Sequence, residues 1–397
     1  MARQSAKRHE LAATAEQGVR VKARNPRALI GAQTGDRFSD PRSVPVEQRR
    51  GRGAASNGSG RFEPHAREAF DDGWGVAEEL EALRTEVQVE RPRKIITRNE
   101  SPDISFDRSI NPYRGCEHGC IYCFARPTHA YMGLSPGLDF ETKLFVKDGA
   151  AELLERELSA SGYQPRTIAM GTNTDPYQPI ERQYRVTRSV LEVLDRTNHP
   201  VGIVTKSALI QRDIDILGSM AKRGLVKVAV SVTTLDRNLA RTMEPRAATP
   251  ERRIATIEAL SDAGIPTGVM VAPIVPAIND AEIETILTRA YAAGAREAGY
   301  VMLRLPLELK ELFTEWLVAN FPGKARHVLS LVRDMRDGKL NDATWGKRMT
   351  ASGPYAWMIG RRFEVAAEKL GYLKTRVKLR TDLFAPPARA VAQLSLF

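Results

Sequence analysis

An α/β fold of six successive strand–helix units, an incomplete (β/α)6 barrel, is predicted by three features of the 397-residue sequence. From about residue 100, short β-branched runs alternate with longer helical stretches, the pattern of parallel βα units. Six such pairs follow one another without an internal sequence repeat. A loop holding every cysteine of the chain comes directly after the first strand, and barrels gather functional groups at the C-terminal ends of their strands.

The elements are expected in this order. Residues 104–110 form the first strand, with the cysteine loop behind it, and 142–146 a short accessory strand. A helix over 150–158 leads to the second strand at 167–171, and a helix over 187–196 to the third at 201–205. The helix 213–223 precedes the fourth strand at 226–232, and a helix over 250–263 ends at Gly264. The fifth strand is 267–272, followed by a helix over 280–293 and a sixth strand at 300–303. Residues 306–373 are mainly helical, with Trp316, Trp345 and Trp357 as large anchors, and read as an extension that closes the barrel mouth. The domain reading is a basic arm over 1–67, a connecting segment over 68–99 and the partial barrel over 100–305. The helical extension then covers 306–380 and a flexible tail 381–397.

The formal charge of +11 is unevenly placed, because residues 1–67 hold 14 Lys or Arg against 6 Asp or Glu. That segment is poor in aromatics and contains Arg49-Arg-Gly-Arg-Gly-Ala-Ala-Ser-Asn-Gly-Ser-Gly60, so it is expected to be disordered and to attract phosphates without sequence preference. A plain solubilising tail is the alternative. No apolar run is long enough to cross a membrane, and the N-terminus lacks the apolar core of a signal peptide, so a cytoplasmic protein without a membrane partner is expected.

All three cysteines fall within eight residues, Cys116-Glu-His-Gly-Cys120-Ile-Tyr-Cys123. The spacing Cys-x3-Cys-x2-Cys excludes an ordinary disulfide framework and leaves thiolates for metal in a reducing compartment. Three thiolates suit a four-iron cluster with one iron free of protein ligands, which can bind a small molecule and pass it an electron. Zinc, with His118 or His129 as fourth ligand, is the other reading of the same residues.

With Tyr122 before the third cysteine, the motif resembles the signature of the radical S-adenosylmethionine (SAM) superfamily. Further segments resemble its spore photoproduct lyase and DNA-repair-photolyase-like branch. They are Asn111-Pro-Tyr-Arg-Gly-Cys116, Gly171-Thr-Asn-Thr-Asp-Pro-Tyr-Gln-Pro-Ile-Glu181, Thr205-Lys-Ser207, Val230-Ser-Val-Thr-Thr234 and Val269-Met-Val-Ala-Pro-Ile274. The resemblance implies a [4Fe-4S] cluster on Cys116, Cys120 and Cys123, with Tyr122 near the adenine of SAM. It further implies that Thr172, Asn173, Thr174 and Asp175 face the SAM ammonium, and that Lys206 meets the carboxylate. Ser231 would bond the ribose or carboxylate, with Arg246 a weaker candidate for the carboxylate. A one-electron donor such as flavodoxin is the implied redox partner. Spore photoproduct lyases carry a further cysteine as hydrogen donor, whereas this chain has none to spare, so Tyr113, Tyr131 or Tyr177 would have to serve or the reaction differs.

The chain ends Gln393-Leu-Ser-Leu-Phe397, which resembles the peptide by which bacterial polymerases and repair proteins dock on the sliding clamp. Gln393 would set register while Leu394, Leu396 and Phe397 fill an apolar groove. Packing of these residues onto the barrel is the alternative. The expected function is reductive cleavage of SAM to a 5′-deoxyadenosyl radical that attacks DNA, as a repair enzyme and possible lyase. The alternatives are radical modification of RNA or a peptide, and a non-catalytic zinc or iron–sulfur module recruited to the replisome.

Overall fold

The computed structural model describes residues 19–23, 51–69, 83–345, 348 and 351–387. Its strands, in chain order, are β1 (Val19–Ala23), β2 (His65–Ala69), β3 (Glu86–Glu90), β4 (Ile96–Arg98), β5 (Arg108–Ile110) and β6 (Tyr113–Arg114). They continue with β7 (Lys143–Lys147), β8 (Ile168–Met170), β9 (Val201–Thr205), β10 (Val226–Ser231), β11 (Thr267–Ile274) and β12 (Glu297–Met302). The main sheet runs β12-β11-β10-β9-β8-β5-β4. Strands β5 and β8 to β12 pair in parallel, and β4 adds an antiparallel edge. The six expected parallel strands are therefore present, and they belong to one curved βα array.

The central parallel strands bury their β-branched residues. In β9 the run Val-Gly-Ile-Val-Thr sets Val201, Ile203 and Thr205 into the core. The helix Val186–Arg196 packs Val190, Leu191, Val193 and Leu194 on the sheet, and Thr249 caps the helix Pro250–Asp262 by accepting from the Arg252 amide.

Several expectations are corrected. The first strand starts at Arg108, not 104, because the preceding residues turn on their own side chains. Asn99 donates to the Phe106 carbonyl at 3.1 Å, and its amide oxygen accepts from the Ser101 N–H at 3.1 Å. Residues 86–90, expected within a connecting segment, form β3 beside β7; the run Glu-Val-Gln-Val-Glu is mostly solvent-facing and carries no core signature. Of the three tryptophans expected as anchors, only Trp316 is buried, donating its indole N–H to the Thr242 carbonyl at 3.1 Å. Trp345 and Trp357 are exposed. The largest correction concerns the arm. Residues 51–63, inside the stretch expected to be disordered, fold against the cysteine loop, with Arg52, Ala54 and Glu63 buried.

At the other end of the sheet, the chain after Gly371 runs along the N-terminal rim of the strands. The amides of Leu373, Arg380 and Ala385 donate to the carbonyls of Arg296, Gly224 and Thr197, each just ahead of a parallel strand. Residues 393–397, with the clamp-like motif, lie outside the described residues. Among the described residues no helix is long and apolar enough to cross a membrane.

Candidate functional site

The cysteine loop leaves β6 at the mouth end of the sheet and is fixed almost entirely by backbone bonds. The Cys116 amide donates to Phe140 at 2.9 Å, the Ile121 amide to Met243 at 2.9 Å and the Cys123 amide to Cys120 at 3.2 Å. Arg126 sits fully buried beneath the loop. Its guanidinium donates to the Cys120 and Gly119 carbonyls at 2.9 and 3.0 Å, to the Pro136 and Gly137 carbonyls at 3.1 and 2.9 Å, and to the Glu141 carboxylate. A planar, permanently charged donor fork suits this task, since every N–H finds an oxygen and one carboxylate balances the charge. Gly119 adopts φ +65°, and a Cβ there would stand 2.7 Å from a Glu141 oxygen, so the loop admits only glycine at this point.

Glu141 is itself completed by the N-terminal segment. The amides of Gly53 and Ala54 donate to its two oxygens at 3.0 and 2.8 Å, while Arg52 donates to its backbone carbonyl at 2.9 Å and to the Leu83 carbonyl at 2.6 Å. Asn57 and Asp139, Ser135 and Gly58, and Arg61 and Glu308 continue the seam. The segment is thus a strap behind the cysteine loop, joined to it through Glu141 and Arg126.

In front of the loop, the strand ends form a second network. Asp175 accepts from the Tyr177 amide at 2.9 Å, the Thr205 hydroxyl at 2.7 Å and the Lys206 amide at 2.8 Å, and faces His118 Nδ1 at 3.4 Å. Burial raises its pKa, but His118 and these donors outweigh that and hold it at about 2. Its oxygens are therefore engaged within the protein, bracing β8 to β9 and to the cysteine loop; the expected ammonium contact gives way to that role. Thr174 is likewise turned inward, donating to the Tyr113 carbonyl at 3.0 Å, and the Asn173 amide donates to Asn111 at 3.1 Å. Thr172 is half-buried beside them. Just before it, Gly171 has φ +84° and lies so near the Val204 carbonyl that a Cβ would be 1.9 Å from its oxygen. Arg246 pairs with Glu117 at 3.1 Å instead of standing free for a carboxylate.

Lys206 differs from these. Its ammonium donates to Ser231 Oγ at 3.0 Å, lies 5.8 Å from the Tyr122 ring centre and has no carboxylate partner among the described residues. The Tyr122 hydroxyl bonds the Glu244 carboxylate, which also receives Thr233 at 2.7 Å and pairs with the buried Arg253. Tyr122, Lys206 and Ser231 are therefore brought together at the mouth, with Cys120 close enough to feel the Lys206 charge.

Asp175→Ala is expected to lower the melting temperature and loosen the cluster, because three donors lose a buried acceptor at about 1–3 kcal/mol each. Thermal melting and iron content check this. An unchanged melt with weakened SAM affinity would instead make Asp175 a ligand of the SAM ammonium.

The thiols themselves call for a positively charged partner. Burial, then Asp175 and the neighbouring thiols, push Cys116 up; burial and then Glu244 do the same to Cys120. A deprotonated trio therefore needs strong positive charge supplied by metal. Zinc would draw its ligands to about 2.0–2.3 Å from one centre. Among the described residues, no group of three or more Cys, His, Asp or Glu is set to hold a single ion. Of the two histidines considered for zinc, His129 places Nε2 2.9 Å from the Lys143 carbonyl and His118 Nδ1 stands 3.4 Å from Asp175. An iron–sulfur cluster takes each thiolate on a different iron, so the three need not converge.

Residues 110–290 match the radical SAM superfamily. That family uses a [4Fe-4S] cluster and SAM as cofactors. An uncharacterised protein of Mycobacterium tuberculosis is 38% identical over 221 residues, covering 55% of this chain and 65% of that protein, less than two thirds of its length. An uncharacterised protein of Methanocaldococcus jannaschii is 26% identical over 213 residues, covering 54% and 76%. A spore photoproduct lyase solved with AdoMet and dinucleoside spore photoproduct shares the fold at TM-score 0.51 and 17% identity, covering 72% of this chain and 80% of that one.

Sequence reasoning missed much of the cysteine loop's supporting shell. Arg126 and Glu141 carry no pattern, although Arg126 follows the last cysteine by three residues. Glu244, two residues before Arg246, carries no pattern of its own, and the strap's composition is that of a disordered arm. The tyrosines considered as hydrogen donors separate clearly. Tyr113, bonded to Glu181, and Tyr177 are fully buried, whereas Tyr131 is exposed just beyond the loop.

Proposed function

We propose that the protein is a radical SAM enzyme that acts on nucleic acid, with DNA repair the favoured setting. The observation that carries the first half is the placement of the only three cysteines on one braced loop at the mouth of the parallel sheet. When bound and reduced, a [4Fe-4S] cluster with one iron free of protein ligands supplies the electron that splits SAM into methionine and a 5′-deoxyadenosyl radical. The chain's own residues hold and orient. Lys206 offers an ammonium without a counter-ion to the SAM carboxylate, Ser231 a hydroxyl beside it, and Tyr122 closes the floor. Thr172 and Asn173, both half-buried just past β8, would be the polar groups offered to the SAM ammonium.

Nucleic acid is supported by exposed aromatic residues on and around the cysteine loop. Phe62, Phe124 and Tyr131 are 55%, 44% and 70% exposed, and Arg61 lies 4.8 and 4.9 Å from the rings of Phe62 and Tyr131. Aromatic faces among arginines suit stacked bases and a phosphate chain, and the basic segment preceding the strap adds charge. Spore photoproduct lyase, which shares the fold, has been solved with a dinucleoside photoproduct, and that ligand favours DNA over RNA or a peptide. Clamp docking by Gln393, Leu394, Leu396 and Phe397 is compatible with this reading, since the last described residues follow the rim opposite the mouth. Flavodoxin or a similar one-electron donor in a reducing cytoplasm completes it.

The test is anaerobic incubation of reconstituted protein with SAM and deuterated DNA carrying ultraviolet lesions, with RNA and peptide pools alongside. Deuterium entering 5′-deoxyadenosine from DNA supports the reading; transfer only from RNA or peptide replaces its substrate.

A further inference from the structure

Besides Lys206, a second cation at the mouth has no ion-pair partner among the described residues. Arg304 follows β12 by two residues, at the mouth end of the sixth parallel strand. Its guanidinium carbon lies 4.5 Å from the ring centre of Phe124, the residue after Cys123. The side chain is half-buried, and among the described residues it makes no hydrogen bond and no ion pair. Its neighbours are all taken. Arg336 donates to the Leu303 carbonyl at 2.9 Å and to the Arg348 carbonyl at 3.3 Å, Arg348 pairs with Asp103 at 2.5 Å, and Glu308 belongs to Arg61. Burial, then the like charges of Arg348 and Arg336, lower the pKa of Arg304, outweighing the opposite pull of Cys123 and of Asp103, which is itself paired with Arg348.

A half-buried guanidinium beside two others is unfavourable unless an anion joins it. Stacking on Phe124 fixes its plane and leaves its N–H edge for a ligand, the arrangement that grips planar or tetrahedral oxyanions in bidentate fashion.

We propose that Arg304, held on the Phe124 ring, is the receptor for an oxyanion brought to the barrel mouth, foremost a phosphodiester of the nucleic-acid substrate. Two ligands share that chemistry, the substrate phosphate and the SAM carboxylate. The phosphate fits better, because Lys206 already stands by Tyr122 and Cys120 for the carboxylate, and β10 and β11 separate β9 from β12. Phe124, 44% exposed, also presents ring surface on which a base adjoining that phosphate can stack. The phosphate assignment rests on the nucleic-acid reading above; the oxyanion receptor does not.

The experiment uses reconstituted full-length protein and the variants Arg304→Gln, Arg304→Lys and Phe124→Leu, with iron content and melting temperature as controls. Fluorescence anisotropy with a labelled single-stranded DNA oligonucleotide across a salt series reads the phosphate, and calorimetry with SAM reads the carboxylate. Arg304→Gln is expected to weaken oligonucleotide binding about tenfold and to flatten the log–log salt dependence by about 0.7, leaving SAM affinity unchanged. Arg304→Lys keeps the slope but only part of the affinity, since a point charge replaces the fork. A tenfold loss of SAM affinity with unchanged oligonucleotide binding assigns the receptor to the SAM carboxylate. Unchanged binding of both ligands overturns the proposal. Should Arg304→Gln lose iron, unchanged affinities in Arg304→Lys and Phe124→Leu overturn it equally. Wild-type protein that binds no oligonucleotide defeats the nucleic-acid reading alone, and the SAM measurement still decides the receptor.

Discussion

Alanine at Cys116, Cys120 or Cys123 is expected to abolish iron binding and SAM cleavage together. The chain has no fourth cysteine to replace a lost ligand. Of the histidines near the loop, His129 holds Nε2 on the Lys143 carbonyl and His118 Nδ1 faces Asp175. The fold should survive, because Arg126 and the loop amides grip backbone carbonyls that alanine retains. Iron analysis, visible absorbance and 5′-deoxyadenosine formation under dithionite check this for each variant. A single alanine variant with full iron and normal cleavage would remove that cysteine from the cluster.

Truncation at two points is expected to split the N-terminal segment into parts with different roles. Removing residues 1–48 takes away much of the basic charge but leaves the strap; iron content and melting temperature stay, while the salt dependence of nucleic-acid binding flattens. Removing residues 1–63 strips Gly53, Ala54 and Arg52 from Glu141. Two hydrogen bonds to a buried carboxylate are worth about 1.5–3 kcal/mol each, and their loss frees the anchor of Arg126 beneath Gly119 and Cys120. The longer truncation should therefore melt lower and retain less iron. Equal iron and equal melting temperatures for the two proteins would reduce the strap to a passive cover.

The parallel strands were legible in the sequence because β-branched runs such as Val201–Thr205 are short, buried and separated by amphipathic helices. The cluster loop was legible because its chemistry depends on residue type at fixed spacing. What was hidden depends on partners remote in sequence. Glu141 takes its donors from residues 53 and 54, and Tyr122 finds Glu244 only once β10 and the following helix are in place. The strap's Gly, Ser and Arg composition reads as tail because it contributes backbone amides and one guanidinium instead of apolar side chains. Asp175 looked like a ligand because an acidic residue past a strand end faces the mouth; only the structure supplies its three donors.

The central claim is that the three-thiol loop holds a redox-active cluster that cleaves SAM. Its most direct test is anaerobic purification and reconstitution, metal analysis, and assay of 5′-deoxyadenosine after reduction in the presence of SAM. About four irons per chain are predicted, with 5′-deoxyadenosine formed only when reductant and SAM are both present. A colourless protein holding zinc and producing no 5′-deoxyadenosine would contradict it.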